Sequence, residues 1–262
     1  MTFSEDEIER YARHLVLADV GGPGQQRLKA ARVLIVGMGG VGGPAALYLA
    51  AAGIGTLGLV DDDTVSLSNL QRQIQFETVD VDRSKVAVSA RRLTALNPHV
   101  EVRTFAERLS PDTASQRIAG WDLVIDGTDD FETRMAVNAA CVQARVPLVS
   151  GALGAWSGQV AVFEGRPCYR CLVPDIPPDA ETCARVGVIG ALAGFIGSLV
   201  ALEAIKRLAG AGETLTGRLW IHDALTGRSR TPLTRPVRCV AEDQPESLNR
   251  YSMAGMTRSG GL

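Results

Sequence analysis

No stretch of this sequence reads as a membrane span. The most lipid-like segment, VGVIGALAGFIGSLVAL at 186–202, has 17 residues without a charge and is followed at once by Glu203 and Lys206, whereas a span needs about 20. Its Gly190 and Gly194 have the small-xxx-small spacing that lets helices approach closely, which fits a buried helix at a core or subunit interface. The start, MTFSEDEIERYARHLVL, is acidic and lacks the apolar core of a secretory signal, so the expected location is the cytoplasm, with no membrane partner. Basic excess is missing too. Lys and Arg number 27 against 29 Asp and Glu, for a net charge of −2, which speaks against a general nucleic-acid binder with its basic stripe. Cysteine is scarce and odd in number: Cys141, Cys168, Cys171, Cys183 and Cys239. That argues against a disulfide framework and turns attention to metal binding or thiol chemistry. Cys141, inside VNAACVQA, reads as a small core residue.

What is present is ordinary for a soluble globular protein, with 46% hydrophobic and 21% charged residues among 262, enough for one sizeable α/β core. Ser4 and Glu7 form a capping box opening a helix to about Ala18, which GGPG at 21–24 breaks. ARVLIV is a buried strand, GMGGVGGPAALYLAAAG a turn and helix stopped by Gly53, and TLGLVD a second strand. A helix over about 84–96, the strand HVEVRTF, the strand in WDLVIDGTDD, the helix FETRMAVNAACVQARV and the strand PLVSGAL follow. This alternation predicts a Rossmann-like, mostly parallel α/β sheet with helices on both faces. SGQVAVFEG and TGRLWIHDALTGRSRTPL look hairpin-like, so antiparallel strands are expected to continue the sheet in the C-terminal half. Residues 164–185 read as a long loop, and loops of that length are usually functional or mobile. The polar, Gly/Ser-rich stretch 241–262 reads as a disordered tail.

Gly37, Gly39 and Gly42 form G-x-G-x-x-G between strand and helix. Such a turn lets backbone approach a phosphate, and the helix N-terminus adds unpaired N–H groups and partial positive charge. Asp61 ends the second strand, 24 residues after Gly37, placed to accept from ribose hydroxyls. A dinucleotide needs little more. A triphosphate carries more charge and calls for side-chain cations and Mg²⁺. Arg72 offers a bidentate fork and Lys85 a point charge. Asp129 and Asp130 follow the strand LVID at its carboxyl end, where one carboxylate can hold Mg²⁺. Their joint placement favours ATP over NAD.

GMGGVGG, LVDDDTVSLSNLQRQ, SKV, DGTDDFETR, PLVSGAL, CYRC and ETCARVGV together resemble the ubiquitin-activating-type adenylyltransferases of bacteria (the ThiF/MoeB/HesA family), among them the sulfur-carrier adenylyltransferases of molybdopterin and thiamine synthesis. The resemblance spans about residues 4–240. It implies a single adenylyltransferase domain over 1–240, with a nucleotide-binding half at about 30–150 and a carrier-binding, cysteine-loop half at about 151–240. It also implies Mg·ATP, and a ubiquitin-like carrier whose C-terminal Gly-Gly carboxylate attacks the α-phosphate. A carboxylate is already ionised at neutral pH, so no general base is needed, and none is obvious among His14, His99 and His222. Carried over by position, Gly40, Asp61, Ser68, Leu70 and Gln71 bind nucleotide, and Asn69, Arg72 and Lys85 meet the phosphates. Asp129, with Asp130 beside it, lies near Mg²⁺. Arg13 matches an arginine supplied to the neighbouring subunit's ATP, which implies a homodimer.

The cysteine pattern departs from the family's. Cys168 and Cys171 form C-x-x-C, half of a structural zinc site. The family often has a second pair near the C-terminus. Here Cys239 is present, but Glu242 stands at the fourth position, giving an expected Zn²⁺ set of three thiolates and a carboxylate. Cys183 matches a cysteine that some relatives link covalently to the carrier during sulfur transfer. Three alternatives stay open: an NAD-dependent oxidoreductase, the same ATP chemistry on a peptide or modified tRNA base, and a non-catalytic partner subunit that docks a carrier. No rhodanese-like segment follows the motifs, so the expected sulfur donor is a separate protein.

Overall fold

The computed structural model describes residues 2–174 and 187–234. Cys183, Cys239, Glu242 and the tail 241–262 lie outside the described residues. Ser4 opens α1 (Glu5–Arg10) with the expected capping box: its Oγ accepts from the Glu7 N–H at 3.2 Å and its N–H donates to Glu7 Oε2 at 2.9 Å. The helix does not run to Ala18. It stops at Tyr11 and resumes as α2 (Ala12–Leu15). Tyr11 turns inward instead, where its hydroxyl accepts from buried Asn97 at 2.8 Å and its ring fills the space beside Gly53. GGPG, expected to break a helix, begins one: α3 (Gly21–Ala30). Pro23 sits in its first turn, where a missing N–H costs nothing.

The chain then alternates through β1 (Arg32–Val36), α4 (Gly42–Ala52), β2 (Thr56–Val60), α5 (Lys85–Leu96), β3 (Glu101–Phe105), α6 (Pro111–Ile118), β4 (Leu123–Asp126), α7 (Phe131–Ala144) and β5 (Leu148–Gly154). After it come β6 (Ser157–Phe163), the short α8 (Tyr169–Leu172), α9 (Gly190–Ala209), β7 (Leu219–Asp223) and β8 (Arg228–Arg230). The sheet order is β3-β2-β1-β4-β5-β6-β7-β8. The first five strands are parallel, and β6, β7 and β8 extend the sheet antiparallel, as the hairpin-like pattern implied. Its edges are β3, with exposed Glu101 and Arg103, and β8, exposed along its whole length. The helix α6 was not among the expected elements; its eight residues carry too short an apolar pattern to stand out.

Strand order reverses between β2-β1 and β1-β4, so the loops after β1 and β4 diverge at a topological switch point, where open α/β sheets bind ligands. One apolar layer, under α3, α4 and α9, includes Val33, Ile35, Leu49, Leu57, Ile125 and Ile196. The other, under α6 and α7, includes Leu34, Ile118, Val124, Val137 and Leu148.

Of the apolar run at 186–202, residues 190–202 lie in α9, whose Ile196, Val200 and Ala201 are buried in the core. No helix of the described residues is long and apolar enough to cross a membrane. Its close approaches are made by Gly190 and Gly197 rather than by the Gly190–Gly194 pair. A Cβ on Gly190 would lie 2.1 Å from the Gln71 carbonyl oxygen and one on Gly197 2.5 Å from that of Val41, while one on Gly194 would meet nothing within 4 Å among the described residues. Gly197→Val should therefore push α9 off α4 and destabilise the fold by about 3 kcal/mol. Gly194→Ala should be neutral or stabilising by up to about 1 kcal/mol. Chemical denaturation of the two variants checks the contrast.

Candidate functional site

A cleft of ≈ 300 Å³ opens at the carboxyl ends of β1, β2, β4 and β5. Its walls bring together Gly37, Gly39, Gly40, Asp61, Asn69, Arg72, Lys85, Asp129 and Asp130 from the expected set. Gly42, Ser68, Leu70, Gln71 and Arg13 do not line it. Ser68 binds Arg72 through its carbonyl, which accepts from Nη1 at 3.1 Å. Leu70 packs with Val65, Phe76 and Val88, and Gln71 is exposed, with buried Gln73 on the wall in its stead. Arg13 is exposed on α2.

The glycines of the first turn divide their work. Gly37 has φ +88°, and a Cβ on Gly42 would fall 1.9 Å from its carbonyl oxygen. A Cβ on Gly127, after β4, would fall 2.9 Å from the Gly42 nitrogen. These three let the two loops of the switch point press against each other. Gly39 and Gly40 are the pair left open to the cleft.

Asp61 is built into the loop framework. One carboxylate oxygen accepts from the Met38 N–H at 2.7 Å and the other from the Asp63 N–H at 2.9 Å. Burial drives its carboxyl above the ordinary range, against the opposing pull of Lys85 and the two N–H groups. The Lys85 ammonium, buried at the start of α5, pairs with Asp63 Oδ2 at 2.8 Å. Asp62 faces Arg108, on the cleft rim, at 3.3 Å. Each acid of the DDD run thus has a distinct partner.

Across the cleft, Asp130 caps α7. It accepts from the Thr133 N–H at 2.9 Å and hydroxyl at 2.6 Å, and from the Glu132 N–H at 3.4 Å. Burial opposes its ionisation, yet these bonds hold its carboxyl below the usual range. Asp129 is exposed on the wall and has no hydrogen bond or ion pair among the described residues. Beneath the loop lies a network that sequence reasoning missed. Fully buried Asp126 accepts from the Thr128 N–H at 3.1 Å and hydroxyl at 2.7 Å, from Ser150 Oγ at 2.8 Å and from Arg134 Nε at 3.0 Å. Arg134 also donates to the carbonyls of Thr128 and Gly151, tying the ends of β4 and β5 to α7. The signal available in sequence was an acid as the last residue of an otherwise apolar strand.

Cys168 and Cys171 are buried on one turn at α8, and Asn138 Nδ2 lies 3.6 Å from Cys168 Sγ. Cys141 is buried in the core, as expected, and burial, with Asp126 nearby, pushes its thiol far up. None of His14, His99 and His222 lines the cleft.

The chain that builds this cleft is similar to known proteins. The model of the ThiF family matches residues 11–246. The chain is 44% identical over 256 residues to a sulfur carrier protein adenylyltransferase of Thermus thermophilus, covering 94% of each. It is 45% identical over 231 residues to the sulfur carrier protein ThiS adenylyltransferase of Escherichia coli, covering 87% of this chain and 92% of that one. It is 48% identical over 232 residues to the adenylyltransferase and sulfurtransferase MOCS3 of Bos taurus, of which it spans 51%. Among solved structures, that of E. coli MccB with MccA-N7isoASN superposes with a TM-score of 0.80 at 22% identity, over 92% of this chain and 75% of that one, a likeness of fold. On the family match and these identities, the chain belongs to the ThiF family.

Proposed function

We propose that this protein adenylylates the C-terminal Gly-Gly carboxylate of a ubiquitin-like sulfur-carrier protein with ATP, releasing pyrophosphate, in thiamine or molybdopterin biosynthesis. The observation that carries this reading is the convergence of Arg72 and Lys85 with Asp61 and Asp129 around the open glycines of one cleft. The names of the relatives, sulfur carrier protein adenylyltransferase and ThiS adenylyltransferase, support the acceptor.

The residues divide the labour as follows. Asp61 receives ribose hydroxyls on the lone pairs its backbone contacts leave over. Gly39 and Gly40 admit the phosphates, and Arg72 and Lys85 neutralise them, with Lys85 exchanging Asp63 for a phosphate oxygen. The carrier carboxylate attacks the α-phosphorus. A new carboxyl O–P bond forms, the bond from that phosphorus to the bridging oxygen breaks, and pyrophosphate leaves with the electron pair. The nucleophile arrives ionised, so the residues act by positioning and charge neutralisation. The unpartnered, exposed carboxylate of Asp129 fits a Mg²⁺ site, whereas Asp130 is engaged by its helix. Mg²⁺ bound there would offset phosphate charge. Two buried thiols on one turn, Cys168 and Cys171, fit half of a structural Zn²⁺ site, with Cys239 and Glu242 as the remaining ligands. Arg13, exposed on α2, serves the site of a second copy in a homodimer. Cys183 serves the later sulfur transfer from a separate donor, and the protein works in the cytoplasm.

Arg72→Ala should lower carrier-dependent ATP–pyrophosphate exchange by about 10²–10³-fold, the cost of one lost charge-stabilising group. Absence of exchange in the unaltered protein with every Gly-Gly carrier would sink the proposal. The pH profile supplies a second check. Because burial raises Asp61, its proton goes on at a higher pH than that of an exposed carboxyl, which removes an acceptor from a loop N–H. Exchange should hold steady above this ionisation and decline as pH falls through it, and Asp61→Asn should lack that acid limb. Metal analysis should find one zinc per chain, lost in Cys168→Ser with adenylation retained; a metal-free unaltered protein would refute the zinc assignment.

A further inference from the structure

Gln75 takes no part in the account above and does not line the cleft, yet it is 2% exposed and turned toward the glycine loop. Its Nε2 donates to the Met38 carbonyl at 2.8 Å and approaches, at 3.3 Å, the Gly39 carbonyl, which also accepts from the Gly43 N–H at 3.0 Å. The amide lies flat on α4, where a Cβ on Gly43 would come within 2.1 Å of Nε2 and 2.3 Å of Oε1. The absence of a side chain at Gly43 makes the seat. Oε1 is buried with no hydrogen-bond partner among the described residues, an unfavourable arrangement for a group whose only task is packing. Turning the amide over would set that oxygen against two carbonyl oxygens, so the donor's direction is fixed by its partners.

In a trans peptide the C=O of one residue and the N–H of the next point opposite ways. With the Met38 and Gly39 carbonyls aimed at Gln75, the N–H groups of Gly39 and Gly40 are aimed away from it, on the side where both glycines line the cleft. Neither N–H has a partner among the described residues. The other end of the turn is fixed as well, since Asp61 holds the Met38 N–H at 2.7 Å. Asp61 and Gln75 therefore grip the Met38 residue from both sides, one by its donor and one by its acceptor.

We infer that Gln75 is a positioning residue for the nucleotide's phosphates: it holds the Met38 carbonyl, and shares the Gly39 carbonyl with the Gly43 N–H, so that the Gly39 and Gly40 N–H groups point at the phosphate oxygens. The inference rests on the ATP reading of this cleft. It also assigns a purpose to Gly43, the one glycine of GMGGVGG that neither faces the cleft nor closes the switch point.

The test compares ATP with adenosine on the full chain. Gln75→Met keeps length and apolar bulk but loses the donor. It should weaken ATP binding and raise the KM for ATP by at least about tenfold, the scale of one lost hydrogen bond to a charged group, while the Kd for adenosine is unchanged. Gly43→Ala should reproduce the loss by displacing the amide, and should add nothing in a Gln75→Ala background. In the unaltered protein, ¹⁵N-labelled Gly39 and Gly40 amide resonances should shift when ATP or inorganic pyrophosphate is added. Equal weakening of ATP and adenosine binding, additive effects of the two substitutions, or glycine amides indifferent to ATP and pyrophosphate would each overturn the inference. The last measurement needs no variant to fold. ATP binding that depends on Gln75, in a protein that activates no carrier, would sustain this inference and defeat the carrier reading alone.

Discussion

The cleft exists because two backbone loops touch. The turn after β1 and the turn after β4 meet through Gly37, Gly42 and Gly127, at distances that no side chain would permit. That contact brings the glycine turn, with its outward N–H groups, to the same mouth as the acids that follow β4. Behind it, the Asp126–Arg134 pair fixes the β4 loop from below and couples it to β5. A buried pair of this kind is weak support for stability in itself, but loss of one partner leaves an uncompensated charge in the core, at about 3–5 kcal/mol. The loop's shape is thus held by an interaction that tolerates little change.

Charge in the cleft is arranged by sharing. Lys85 is shared between Asp63, which it touches, and Asp61, whose ionisation it favours against burial. Arg108 is shared between Asp62 and Asp130. An arriving polyanion can therefore recruit cations already present at the site, at the expense of contacts with exposed acids. The Asp62–Arg108 pair is exposed on both sides, and exposed ion pairs contribute little, so that exchange costs little.

How far the sequence is legible follows from the range of each interaction. The strand–turn–helix of β1 and α4, the acid ending β2, the alternation of elements and the antiparallel continuation all rest on local pattern, and all appear as expected. The cleft's cations and the exposed acid after β4 were likewise legible, as motifs with a chemical reason. Other features depend on contacts between distant residues. Tyr11 breaks its helix to reach Asn97 and Gly53. Gln73 faces the cleft and Gln71 does not, because an irregular loop has no period from which a direction can be read. Gln75 and Gly43 have meaning only as a pair, 32 positions apart in the numbering. Asp126 reads as one more acid at a strand's end until Arg134 and Ser150 are seen beside it.

The two ends of the sheet carry a further consequence. β3 ends the row with Glu101 and Arg103 outward, and β8 with Arg228 and Arg230, in a strand of three residues. Charged, short margins resist pairing with a foreign strand. Among the described residues, the sheet's two open margins are thus poorly suited to growth by templating.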